Sequence, residues 1–169
     1  MVGMTTNSLL FRIDGMPQGK GRHRTANING QVRAYTPKKT REYEKAVGDA
    51  AKHAAMLKGW VKSDDPIRLN ICAWFPVPTS WPKKKREAAQ RGDIYPTVKP
   101  DADNIGKAIS DGLNDIVYND DKQVVECIVK KRYCPADKYP HVVVFVEPMM
   151  GFTEMQAKHL GLANESVNV

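Results

Sequence analysis

Asp101 and Asp103 stand two residues apart, Lys107 follows one helical turn after Asp103, and Asp111 follows a turn later again. An Asp120–Asp121 pair comes after a short connection. On a helix, a spacing of four returns a side chain to the same side, so Asp103, Lys107 and Asp111 would form one stripe. The spacing draws several carboxylates and one ammonium toward one place. Left alone, such carboxylates repel one another and hold their protons more tightly. A divalent cation removes that cost. Mg²⁺ in particular takes carboxylate oxygens, keeps several waters and commonly meets phosphate. The chemistry these residues can do is therefore attack on a phosphate ester at a hard-metal site. The plainer reading is a solvated acidic helix start, and the second Asp–Asp pair and the placed lysine count against it.

Two other acidic motifs fail. An EF-hand loop needs an oxygen ligand at its fifth position and Glu at its twelfth, where this chain has Ile105 and Gly112. An aspartyl-phosphate phosphatase carries Asp-x-Asp on the end of a buried apolar strand, and the run from Tyr95 to Pro100, with its two prolines, is not one.

The elements that must position these residues follow from periodicity. Pro100 keeps the approach to Asp101 extended. A helix is predicted over Asn104–Asn114, with Asp103 as its N-cap and Ile105, Ala108, Ile109, Gly112 and Leu113 on its apolar face. Strands are predicted at Ser8–Asp14, Ile67–Phe75, Gln123–Tyr133 and Val142–Val146. A long helix starts at Thr36–Pro37 and stops at Gly59, burying Tyr43, Ala46, Val47, Ala50, Ala54 and Leu57. A short basic helix, Lys83 to Gln90, is closed by Gly92. The fold expected is α+β: a small mixed β-sheet of four strands with two principal helices packed on it. Residues 1–147 read as one domain, and 148–169 as a C-terminal tail with a weak helix over 153–162.

Charge is unevenly spread. The chain of 169 residues carries a net +7, yet the segment from Lys99 to Glu126 carries −4 and the remainder +11. A basic body around an acidic pocket suits a polyanion gripped by its backbone. The cations fall in three places. Lys20, Arg22 and Arg24 follow a Gly/Pro loop before a polar turn at residues 27–30. Lys38 and Lys39 open the long helix, where they oppose its dipole, so stability alone does not favour them. Lys83, Lys84, Lys85 and Arg86 form the densest patch, with Trp81 at its edge read as a packing residue. Cys72, Cys127 and Cys134 have no paired spacing and read as free thiols of a reducing cytoplasm. The four histidines are scattered, so zinc is not suggested. No signal peptide and no membrane-spanning apolar run is read in the chain.

The motif Lys99-Pro100-Asp101-x-Asp103-Asn104-x-x-Lys107-x-x-x-Asp111-x-Leu113, followed by Asp120-Asp121-x-Gln123-Val124, resembles RusA-type Holliday-junction resolvases. The Gly19-Lys20-Gly21-Arg22 loop, the run Tyr35-Thr36-Pro37-Lys38-Lys39-Thr40 and Trp81-Pro82-Lys83-Lys84-Lys85 are similar to the same family, so the likeness covers residues 8–147. The resemblance implies a homodimeric, Mg²⁺-dependent endonuclease, with Mn²⁺ able to substitute and no organic cofactor. Such an enzyme binds four-way DNA junctions and nicks two opposing strands in recombination and repair. It implies that Asp101, Asp103 and Asp121, with Asp120 beside them, hold the metal, and that Lys107 is the catalytic lysine. Two alternatives stand beside it: a metal nuclease specific for flaps or other branched DNA, and a DNA-binding accessory protein without catalysis.

Overall fold

Alternation of apolar and polar residues makes the strands. Leu9, Phe11 and Ile13 turn inward from one, and Ile67, Leu69, Ile71, Ala73 and Phe75 from another, as their period of two requires. A computed structural model of the chain describes residues 8–149. The expected tail helix at 153–162 lies outside the described residues. In chain order the elements are β1 (Leu9–Asp14), β2 (Arg24–Ile28), β3 (Gln31–Tyr35), α1 (Lys38–Lys58), β4 (Ile67–Phe75), α2 (Lys83–Arg91), α3 (Ala102–Leu113), β5 (Val124–Tyr133) and β6 (His141–Pro148). The fold is α+β. Its four-stranded mixed sheet has the order β1-β6-β4-β5, with β4 and β5 parallel and the other neighbours antiparallel. Helix α1 packs on β1, α3 packs on β5, and the two helices pack on each other.

Two glycines set that packing. Gly112 of α3 lies so close to α1 that an added Cβ would fall 2.8 Å from the Cβ of Val47 and 2.9 Å from the carbonyl oxygen of Glu44. This close approach moves the buried stripe of α1. Gly48 and Ala51 join Tyr43 and Val47 inside, while Ala46 and Leu57, expected in the core, face solvent. Gly106 carries the usual helix cost of glycine, up to ~1 kcal/mol against alanine. In return it seats α3 on β5: a Cβ there would meet the Cys127 sulfur at 3.2 Å.

Two elements differ from expectation. Helix α3 begins at Ala102, so Asp101 rather than Asp103 holds the N-cap position. The polar turn at residues 27–30 belongs to a complete two-stranded ribbon, β2–β3. Asn29 and Gly30 join the strands with φ of 52° and 78°. Positive φ at both central residues is the signature of a type I′ hairpin turn.

Candidate active site and nucleic-acid cleft

Asp101 has extended backbone and its side chain makes no capping hydrogen bond, so both carboxylate oxygens remain available. Asp103 sits in the first turn, where a negative charge suits the helix dipole. The stripe expected along α3 is present. The Lys107 ammonium lies 3.8 Å from the Asp103 carboxylate, both largely exposed. One turn on, Asp111 is bound by Lys20, whose Nζ is 2.6 Å from Asp111 and 2.5 Å from Glu44. Burial alone would lower the Lys20 pKa, but hydrogen bonds to Asp111 and Glu44 hold it above the ordinary lysine value. Lys20 was expected to face phosphate; here its charge is committed to two carboxylates.

The Asp120–Asp121 pair sits on a single 3-10 turn, Asp121–Gln123. Asp120 caps it, accepting a hydrogen bond from the Lys122 amide at 3.0 Å, and that bond holds its carboxyl below the usual range. The Gln123 side chain fixes the turn from both sides. Its Oε1 accepts from the amides of Asn119 and Asp120 at 2.9 and 3.1 Å. Its Nε2 donates to the carbonyls of Ser63 and Asp65 at 2.9 and 3.1 Å. Beneath, the buried Tyr118 hydroxyl donates to the Ser110 carbonyl at 2.8 Å, tying the turn to α3. Asp121 then reaches the Asp111 carboxylate. Partial burial, followed by the charges of Asp111 and Asp120, raises its pKa above the ordinary aspartate value.

The acidic residues therefore form two groups. Asp111, Asp120 and Asp121 gather with Lys20 and Glu44 toward the C-terminal end of α3, while Asp103 pairs with Lys107 near the other end. Asp103 and Asp111 are eight residues apart on one helix, which is roughly 12 Å along its axis. Among the described residues, no three Asp, Glu, His or Cys side chains come close enough together to hold a metal ion. The donor chemistry fits a hard divalent cation: carboxylate oxygens, and one pair crowded enough to raise a proton affinity. Within one copy the carboxylates that act on Asp121 are Asp111 and Asp120, not Asp103.

Asp101, at the N-cap of α3, lines a cleft of roughly 830 Å³ together with Lys20, Arg22, Arg24, Lys39 and Lys99. Among the described residues, Arg22, Arg24, Lys39 and Lys99 have no carboxylate within ion-pair distance. The other expected DNA contacts lie apart from it. Lys38 pairs with Glu42 at 3.6 Å, and Lys83 with Glu87 at 3.9 Å. Lys85 lies 3.9 Å over the Trp81 ring, which packs edge-on to Tyr133, while Lys84 and Arg86 are exposed on α2. Glu44 was not singled out, because it looked like any acid on a helix surface, and Lys99, although it opens the acidic motif, was not assigned a contact of its own.

An α+β protein whose acidic helix face opens beside a cation-lined cleft is suited to hold a polyanion against carboxylates. The chain belongs to the endodeoxyribonuclease RusA family, whose model it matches over residues 14–147. A relative, the uncharacterized protein YqaN of Bacillus subtilis (strain 168), is 33% identical over 141 residues, covering 80% of this chain and 93% of that protein. No helix among the described residues is long and apolar enough to cross a membrane.

Proposed function

We propose that the protein is a Mg²⁺-dependent, homodimeric endonuclease that resolves four-way DNA junctions by paired nicks in opposing strands. The observation that carries this reading is the position of Asp101 in a cleft whose other charges are cations. A DNA backbone drawn in by Arg22, Arg24, Lys39 and Lys99 would run past the acidic face of α3. A protein that only bound DNA would lose affinity to carboxylates placed there, since like charges repel. Asp101, Asp103 and Asp121, with Asp120 adjacent, would hold the metal. When bound, a divalent cation would polarise the phosphate and lower the pKa of a water, making hydroxide available as the nucleophile.

The chain's own residues do the rest. Lys107 offsets negative charge that builds on the phosphate during attack. Lys20 bridges Asp111 and Glu44 and offsets part of their charge, which limits the repulsion felt by Asp121. Gln123 holds the Asp120–Asp121 turn in place through four hydrogen bonds. Because Asp103 and Asp121 stand apart in one copy, a second copy is the source proposed for the completing donor. That requirement supports the homodimer, whose two-fold symmetry also suits paired cuts.

Synthetic four-way, flap and linear duplex DNA, each incubated with Mg²⁺ and with EDTA, test the reading. The expected outcome is two opposed nicks in the four-way junction with Mg²⁺, the same with Mn²⁺, and no product in EDTA. Preference for the flap would assign another branched substrate. Binding without cleavage of any DNA in either metal would leave an accessory DNA-binding protein.

A further inference from the structure

Among the described helices and strands, β2 and β3 pack substantially only on each other, and every residue of β3 is exposed. A lone two-stranded ribbon is marginal in water, so it contributes little to the fold. Its two faces differ. Residues directly opposite in an antiparallel pair share a face. The pairs Arg24–Tyr35 and Ala26–Arg33 therefore put two guanidiniums and a phenol on one side. Thr25–Ala34 and Asn27–Val32 make the other side uncharged. Tyr35 is 46% exposed, and among the described residues the Arg33 side chain bonds only to the neighbouring Gln31 amide oxygen, at 3.3 Å.

The root of the ribbon is fixed beside the candidate site. The Lys20 amide donates to the Asn104 carbonyl at 2.9 Å, and the Gly21 amide to the Thr40 hydroxyl at 3.2 Å. At Gly19 a Cβ would fall 2.9 Å from the Cβ atoms of both Pro100 and Asn104, so the loop lies directly against the start of α3. Arg24 lines the cleft that holds Asp101, which makes the cationic face of the ribbon continuous with it. A two-stranded ribbon is of a size the major groove of DNA admits.

We infer that the Arg24–Arg33–Tyr35 face of the ribbon is a DNA-contacting surface that carries branched DNA outward from the cleft. The arginines meet phosphates of one arm, and Tyr35, at the root, stacks on a base left unstacked at the branch point. This inference rests on the nuclease reading above. Binding titrations in EDTA, on a four-way junction and on linear duplex, test it with wild type and three sets of variants. Arg33→Ala weakens binding to both DNAs and lowers the slope of log K against log salt by about one. Tyr35→Ala weakens junction binding roughly tenfold and duplex binding less, whereas Tyr35→Phe keeps the ring and binds as wild type. Thr25→Ala with Val32→Ala, on the uncharged face, changes neither. If wild type binds the junction and Arg33→Ala and Tyr35→Ala bind it equally well, the ribbon inference is overturned and the nuclease reading stands. Equal losses from the uncharged-face pair would also overturn it, since the effect would then come from the ribbon's integrity. A wild type that binds no DNA removes both.

Discussion

Lys107 lies 3.8 Å from Asp103 and one turn before Asp111, so it has a structural partner as well as a place on the acidic face. The two roles differ in energy. The Asp103–Lys107 pair is largely exposed, and such pairs contribute only about 0–1 kcal/mol. Transition-state charge stabilisation is worth far more. Lys107→Ala is therefore expected to lower the single-turnover cleavage rate on saturating junction on the order of 10²-fold or more. Junction affinity and melting temperature should stay close to wild type. A lower melting temperature with an unaltered rate would make Lys107 a structural residue. At this scale the sequence was legible wherever spacing was local. Asp103, Lys107 and Asp111 follow from the repeat of four, whereas Gln123 was read only as a motif position and the start of a strand, and it lies instead in the 3-10 turn. What was not legible is long-range. Lys20 read as a phosphate contact because nothing nearby in sequence shows that Glu44 and Asp111 would claim it. The separation of Asp103 from Asp121 likewise depends on where the 3-10 turn docks along α3, which periodicity does not specify.

Among the elements, α1 and α3 carry the consequence of close contact. Alanine favours a helix over glycine by ~1 kcal/mol, so propensity alone predicts that Gly112→Ala stabilises α3. Packing predicts the reverse. The new methyl would sit 2.8 Å from the Val47 Cβ and 2.9 Å from the Glu44 carbonyl, and backbone must shift to admit it. Overpacking of this kind costs about 1–3 kcal/mol, so a net loss of stability is expected, read as a lower melting temperature. Gly106→Ala is the milder comparison, since its nearest contact is the Cys127 sulfur at 3.2 Å. If Gly112→Ala melted higher than wild type, the tight α1–α3 contact would be wrong. The strands were readable because alternation is a strong signal; β4 was bounded from sequence as it is found. The buried stripe of α1 slid because small residues, not only apolar ones, mark where two helices meet. The ribbon was read only as a turn, because β3 is exposed along its whole length and so shows no alternation.

Across the whole molecule, the segment from Lys99 to Glu126 is acidic and the remainder strongly basic. The fold places the start of that acidic segment, at Asp101, in the cleft lined by Lys20, Arg22, Arg24, Lys39 and Lys99. The acidic residues still divide into two groups within one chain, and a second copy is the proposed means of joining them. Mixing two inactive proteins tests this most directly. Asp103→Asn and Asp121→Asn are each expected to bind a four-way junction yet leave it uncut in Mg²⁺. Refolded together, they form heterodimers in which one site regains both carboxylates, so the mixture should nick the junction. A mixture that stays inactive would place both donors within one copy. Either variant alone cutting at close to the wild-type rate would contradict the assignment of these aspartates to the cleavage site.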